Sequence, residues 1–298
     1  MVWVIGCNGM LGRQLCHTFE EKNLSFAGTG SDVSILDYPA LESFARDKAI
    51  SFIVNCAAYT LVDEAETDKK KAMALNRDGV RNIARISKKI GCPLIHISTD
   101  YVFDGTASSP IREDEEINPI GVYGKTKAEG EKAVIAESED FYILRTAWLY
   151  GFYGNNFIYT MIRAMNSRES VRVVSDQRGS PTDCRTLSSV IFSIVQKRLS
   201  GGKIPGGIYH VTDSGEATWF DFACEIKKNA LEAGILMNEN CAINPCITED
   251  YPSRAKRPAF SVLDTSKIQQ ALGINLPFWK ENVKYFIHSA HFDKIRVQ

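Results

Sequence analysis

The sequence predicts an α/β fold, a doubly wound parallel sheet with a smaller α/β lobe. Three observations predict it. Short apolar runs alternate with longer helix-periodic segments through the first half of the chain, which is the pattern of βαβ units. A glycine-rich turn, Gly6-Cys7-Asn8-Gly9-Met10-Leu11-Gly12, joins the first apolar run to the first helical segment. The second half is less regular, as expected of a lobe built beside the sheet.

In chain order, residues 2–5 form a first strand and 10–22 a first helix. Residues 24–29 are a weaker strand. Asp37 caps a helix with Pro39 in its first turn and Leu41, Phe44 and Ala45 on one face. Residues 51–58 are a strand, 72–90 a helix divided near Gly79, and 94–98 a strand. A helix over 126–137 and a strand over 142–149 complete the first half. Helices follow at 157–168, 187–199 and 219–233, with strands at 171–174 and 208–211. Residues 238–258 hold Pro245, Pro252 and Pro258 and read mostly as loop; a last helix covers 279–288.

Composition narrows the function. The chain has 298 residues, 44% of them hydrophobic, and 35 Lys+Arg against 36 Asp+Glu. A sizeable core is available, and a net charge of -1 argues against nucleic acid as partner. No stretch approaches the ~20 apolar residues of a membrane span. The eight cysteines lie mostly in apolar segments without a Cys-x-x-Cys pair. Reduced core thiols in a cytoplasmic protein are expected, with no metal site. The Lys69-Lys70-Lys71 run reads as a solvated helix face.

The glycine turn has a physical logic. Gly6 permits a tight turn, Gly9 lets backbone approach a pyrophosphate, and Gly12 lets the helix pack against the sheet. Amides at the helix N-terminus then face the anion. A plain strand-to-helix turn would also be rich in glycine; the position after a buried N-terminal strand favours a dinucleotide. The second strand ends near Thr29-Gly30-Ser31 without an acid at its tip. Small residues there leave room for a 2′-phosphate, so NADPH is favoured and NADH is possible. Arg13 is the nearest arginine in sequence.

Tyr123 and Lys127 stand four apart at a helix start, on one face. A free tyrosine has a pKa of ~10, and a neighbouring ammonium favours the phenolate. Such a pair suits proton transfer at a carbonyl oxygen. Ser98-Thr99-Asp100 ends a strand, where ligands bind in open α/β sheets. Thr99 can hydrogen-bond the same carbonyl or the tyrosine. The same triplet would also serve as a turn cap.

These segments, with Asn55-Cys56-Ala57-Ala58-Tyr59-Thr60 and the run from Tyr101 to Gly105, resemble the extended short-chain dehydrogenase/reductase family. Further segments resemble its dTDP-4-dehydrorhamnose reductase branch: the run from Arg145 to Gly151, Gly154-Asn155-Asn156-Phe157, Asp176-Gln177-x-Gly179-x-Pro181-Thr182, Ala255-Lys256-Arg257-Pro258 and Ser261-x-Leu263-Asp264. The resemblance implies a Rossmann-type sheet and NAD(P)H-dependent reduction of the C4 keto group of dTDP-4-dehydro-L-rhamnose to dTDP-L-rhamnose. It implies Tyr123 as proton donor, Lys127 on the nicotinamide ribose and Thr99 on the carbonyl. It places the cofactor on Gly6, Gly9, Met10, Leu11, Gly12, Ser34, Ile35, Ala58, Tyr59, Thr60, Ser98, Tyr123 and Lys127. The sugar falls to Thr99, Asp100 and Trp148, whose ring would cover an apolar sugar face or serve as a core aromatic. Some family members bridge subunits with Mg²⁺ through an acid after the glycine turn. This chain has Gln14 there, so a monomer or weak dimer without that metal is expected.

The expected dinucleotide domain is residues 1–146, with segments near 183–205 and 261–275 returning to it. The substrate lobe takes about 147–182 and 206–260 plus the C-terminal helix. Another nucleotide-sugar reductase or epimerase fits the same motifs. So does a regulatory subunit of the methionine adenosyltransferase type, which shares the fold.

Overall fold

The computed structural model describes residues 1–293 and 297. The chain opens with β1 (Val2–Ile5), α1 (Met10–Glu21), β2 (Phe26–Thr29), α2 (Tyr38–Arg46) and β3 (Phe52–Asn55). Short α3 (Val62–Ala65) leads to α4 (Lys69–Met73), which runs through a π-helical turn at Ala74–Gly79 into α5 (Val80–Ile90). Then come β4 (Leu94–Thr99), α6 (Val122–Glu137), β5 (Phe141–Thr146) and β6 (Leu149–Tyr150). The second half holds α7 (Phe157–Ser167), β7 (Ser170–Val174), β8 (Arg178–Gly179), β9 (Thr182–Asp183) and α8 (Cys184–Leu199). It continues through β10 (Gly207–His210), β11 (Ala217–Thr218), α9 (Trp219–Glu232), β12 (Ala242–Cys246), α10 (Ser266–Leu272) and α11 (Trp279–His288).

Six strands form one sheet in the order β10-β5-β4-β3-β1-β2, all parallel. Being buried on both faces, its strands are near-continuous apolar runs such as Val2–Ile5. Leu11, Leu15 and Phe19 of α1 and Leu187, Ile191 and Ile194 of α8 cover one face. Leu41 of α2, Ile83 and Ile86 of α5 and Val134 of α6 cover the other. The sheet is therefore doubly wound.

A separate apolar core joins α7, β7, α9 and α11 around Tyr159, Phe222, Trp279 and Phe286. The chain enters it at the end of β5, where Ala147-Trp148 interrupts the expected long strand. Trp148 adopts φ +45°, a left-handed turn that a continuous strand cannot contain. The segment read as loop contains β12, which pairs parallel with β7 in a two-stranded sheet. Pro245 fits there because a strand with one paired side does not need every N–H.

Other boundaries moved less. Asp37 caps α2 as expected, its Oδ1 accepting from Ala40 N at 3.0 Å. The helix expected over 72–90 starts at Lys69 and is not broken near Gly79; a π turn absorbs the irregularity. Lys69, Lys70 and Lys71 are exposed on α4. All eight cysteines carry free thiols; Cys92, Cys184 and Cys241 are buried, and Cys224 is exposed. Among the described residues, no helix is long and apolar enough to cross a membrane.

Candidate active site

Because the sheet strands are parallel, their carboxyl ends lie along one edge. The ends of β1, β3, β4 and β5 place Gly6, Cys56, Thr99 and Ala147 there. β1 lies between β2 and β3, so successive connections diverge at its carboxyl end and leave a crevice.

The glycine turn fills the base of that crevice. Gly6 has φ +80°, and a Cβ there would sit 2.6 Å from Ala57 N. A Cβ on Gly12 would overlap the carbonyl oxygen of Gly6. At Gly9 the nearest atom to an added Cβ is Gly6 O at 3.4 Å, an ordinary contact. Two glycines are thus demanded by packing, and the third leaves backbone open to the crevice. Gly9 is the N-cap of α1 and makes no side-chain cap bond among the described residues. The first-turn amides at Met10, Leu11 and Gly12 therefore suit an anion. This geometry fits a dinucleotide pyrophosphate.

The remaining expected cofactor residues stand in different settings. Ser34 is exposed, its Oγ accepting from Leu36 N at 3.3 Å. Ile35 is buried against Gly79 of the π turn. Ala58, Tyr59 and Thr60 follow β3, with Tyr59 buried and Thr60 exposed. Ser98 turns its hydroxyl inward and gives it to buried Glu131. Beyond the tip of β2, Asp32 Oδ1 accepts from Gly30 N at 2.8 Å. Its charge helps to raise the Cys7 thiol pKa, after burial. A carboxylate therefore does stand beside the glycine turn, although none occupies the Thr29-Gly30-Ser31 tip itself.

Helix α6 begins at Val122, earlier than the 126 start expected, so Tyr123 sits in its first turn. Burial pushes the Tyr123 phenol up to about 12; hydrogen bonding to Thr99 opposes this and the charge of Asp100 adds to it. Thr99 Oγ1 donates to Asp100 Oδ1 at 3.0 Å and accepts from Tyr101 N at 3.2 Å. Asp100 is raised to about 6 by burial, against hydrogen bonds from Ser261 and Thr99. Its Oδ2 has no hydrogen-bond partner among the described residues. Lys127 Nζ donates to Ile97 O at 2.6 Å. Burial pulls Lys127 down to about 8, opposed by Glu131 and Cys56. Burial therefore outweighs the lowering expected from Lys127, whose ammonium is held on a backbone carbonyl.

Thr99, Asp100, Tyr123 and Lys127 thus meet at the end of β4. Trp148 differs. Its indole stacks on Trp219 with centroids 3.6 Å apart and planes 9° apart. Trp219, with Phe157, Met161, Val173, Gln177 and Arg257, lines a cleft of about 240 Å³ on the second lobe. Arg257 ties this cleft to the Tyr123 side of the crevice. Its Nη2 donates to Asp63 Oδ2 at 2.7 Å, and it also hydrogen-bonds Tyr101, whose ring packs edge-on to Tyr123 at 5.6 Å. Gln14 is buried, and its Oε1 has no partner among the described residues.

Three neighbours of the site escaped the sequence reading: Asp32, Glu131 and Asn76, whose side chain holds the Tyr59 backbone. Glu131 carried a usable signal, since it repeats the four-residue step from Tyr123 to Lys127. Asn76 carried none, because its placement depends on the π turn.

Comparison with known proteins places the whole chain in one family. The family model described as RmlD substrate binding domain matches residues 1–292. A dTDP-4-dehydrorhamnose reductase of Aggregatibacter actinomycetemcomitans is 39% identical over 289 residues, 94% of this chain and 96% of that protein. Its Clostridium acetobutylicum counterpart has a crystal structure with TM-score 0.88 and 37% identity, covering 96% of this chain and 98% of that one. The Bacillus anthracis enzyme, solved in complex with NADP, gives TM-score 0.88 and 34% identity, covering 96% and 97%. On its fold, its glycine cradle and these likenesses, the chain belongs to the dTDP-4-dehydrorhamnose reductase family.

Proposed function

We propose that the protein reduces the C4 keto group of dTDP-4-dehydro-L-rhamnose to dTDP-L-rhamnose, with NADPH as donor and NADH as a possible substitute. The observation that carries the reading is the meeting of Thr99, Tyr123 and Lys127 at the strand ends beside an open glycine cradle. The Bacillus anthracis relative, solved with NADP, supports the cofactor.

When bound, the nicotinamide supplies hydride. The chain supplies the rest. Amides of Met10, Leu11 and Gly12 receive the pyrophosphate, and the Ala58–Thr60 segment forms the adjoining wall. Burial keeps the Tyr123 phenol protonated, the state a donor needs to protonate an oxygen that gains negative charge. Thr99, placed against Tyr123, orients the carbonyl. Lys127 holds the ribose and, once drawn toward the ligand, favours loss of the tyrosine proton. Asp100, with an unpartnered Oδ2 and a carboxyl near half-protonation at pH 6, suits a sugar hydroxyl. Trp148 lies at the junction with the second lobe, where the sugar would sit.

The test is loss of 340 nm absorbance with the keto sugar made in situ, run separately with NADPH and NADH. Sugar-dependent oxidation supports the reading and ranks the donors. Bound cofactor without oxidation overturns it.

A further inference from the structure

Behind the Tyr123–Lys127 face lies a layer of buried charge that the reaction scheme does not use. Tyr123, Lys127 and Glu131 follow at four-residue steps along α6 and share a face. Lys127, Glu131 and Arg145 are each 2% exposed. Glu131 Oε1 accepts from Arg145 Nε at 2.9 Å, and Oε2 accepts from Arg145 Nη2 at 2.8 Å. Oε1 also accepts the hydroxyl of Ser98. Ser98 lies between Ile97, whose carbonyl holds Lys127, and Thr99, which meets Tyr123. One carboxylate is therefore tied to β4, β5 and its own helix at the point where the catalytic groups converge.

Most titratable groups facing this layer are neutral. Cys56, from the end of β3, faces Lys127 and has its thiol pushed up by burial. His96 of β4 is lowered by burial and by Lys127. His210 of β10, with Nε2 at 3.5 Å from Arg145 Nη1, is lowered to about 3 by burial and Arg145. Tyr123 is a neutral phenol, and Asp100 lies beyond it. The charges left are the Glu131–Arg145 ion pair and Lys127, one helical turn from Glu131 on the same face, where the carboxylate acts on the ammonium through space.

We propose that Glu131 is a positioning residue whose carboxylate keeps Lys127 in the ammonium form and holds the end of β4 in register with α6. The proposal rests on the reductase reading for the role of Lys127. It predicts effects of opposite sign from two substitutions that break the same ion pair. Glu131→Gln removes the carboxylate whose charge favours the Lys127 ammonium, so Lys127 sheds its proton at lower pH. Arg145→Met gives Lys127 the whole carboxylate, so it keeps its proton to higher pH. A merely structural role would harm both variants without moving their pH limits apart.

The experiment measures NADPH affinity by fluorescence, and kcat/KM for sugar reduction, from about pH 6 to about pH 10. Expected is an alkaline limb displaced downward by about one unit in Glu131→Gln and upward by a similar amount in Arg145→Met. Glu131→Asp, which keeps the charge, should hold the wild-type limb. Limbs that move together, or stay fixed, overturn the proposal. If circular dichroism shows Glu131→Gln unfolded, the limb of Arg145→Met decides alone: upward supports, unmoved overturns. Wild-type protein that binds NADPH but never oxidises it would overturn the reductase reading, while the binding limbs would still judge Glu131.

Discussion

Asn76→Ala tests whether the π turn serves the site. Asn76 is fully buried within that turn. Its Oδ1 accepts from Tyr59 N at 2.8 Å, and its Nδ2 donates to Tyr59 O at 3.1 Å and to Thr126 Oγ1 at 3.0 Å. One side chain therefore clamps both backbone polar groups of Tyr59, in the proposed cofactor wall, and the residue next to Lys127. Alanine removes all three bonds. Thr126 keeps its donation to Tyr123 O at 2.8 Å, but the Tyr59 N–H and C=O are left buried without partners. Each such group costs about 1–3 kcal/mol, so the pair costs about 2–6. A water entering the space offsets part, leaving about 2–4 kcal/mol. Urea unfolding followed by circular dichroism measures this, and NADPH titration of the folded variant measures the cofactor wall. Both stability and affinity should fall. A loss under about 1 kcal/mol with unchanged affinity would refute the clamp and leave the π turn a packing irregularity.

Three further outcomes are expected. Tyr123→Phe should keep NADPH affinity and lose ~10²–10⁴ in turnover, the range of acid-base catalysis; near-normal turnover would remove Tyr123 as donor. Asp100 is raised to about 6 in the fold, so its contribution to stability is full below pH ~4 and is lost as pH rises through 6. Asp100→Asn should therefore stabilise the protein at pH 7, by about 3 kcal/mol at most, and flatten its unfolding profile between pH ~4 and ~6; an unchanged profile would count against a buried carboxyl. Asp32→Ser removes a carboxylate from the tip of β2 and should shift kcat/KM toward NADPH over NADH by up to about tenfold, because a 2′-phosphate is repelled by a nearby anion. A ratio that holds steady would place Asp32 away from the ribose.

Much of this was legible along the chain. The glycine turn declared itself because its constraints are local: Gly6 and Gly12 are each needed within seven residues of one another. Tyr123 and Lys127 were visible because helical spacing alone puts them on one face. Helix α6 began earlier than expected, since Gly121 provides an extended N-cap without a capping side chain to mark the start. β12 was hidden behind Pro245, because a strand that pairs on one side tolerates a residue that sequence rules treat as a breaker. Trp148 was visible as an aromatic at a strand end. Its stacking on Trp219, 71 positions away, was not.

The sequence by itself determined the alternating α/β architecture, the phosphate cradle and the Tyr123–Lys127 pair. Periodicity, glycine geometry and i,i+4 spacing act within one or two elements. Tertiary structure decided the electrostatic surroundings of that pair. It tied Lys127 to Ile97 O, paired Glu131 with Arg145 one helical turn from Lys127, and raised the Tyr123 phenol by burial. Burial and through-space charge depend on which elements meet, and Cys56 after β3, Ser98 of β4 and Arg145 of β5 come beside α6 only when the sheet is assembled.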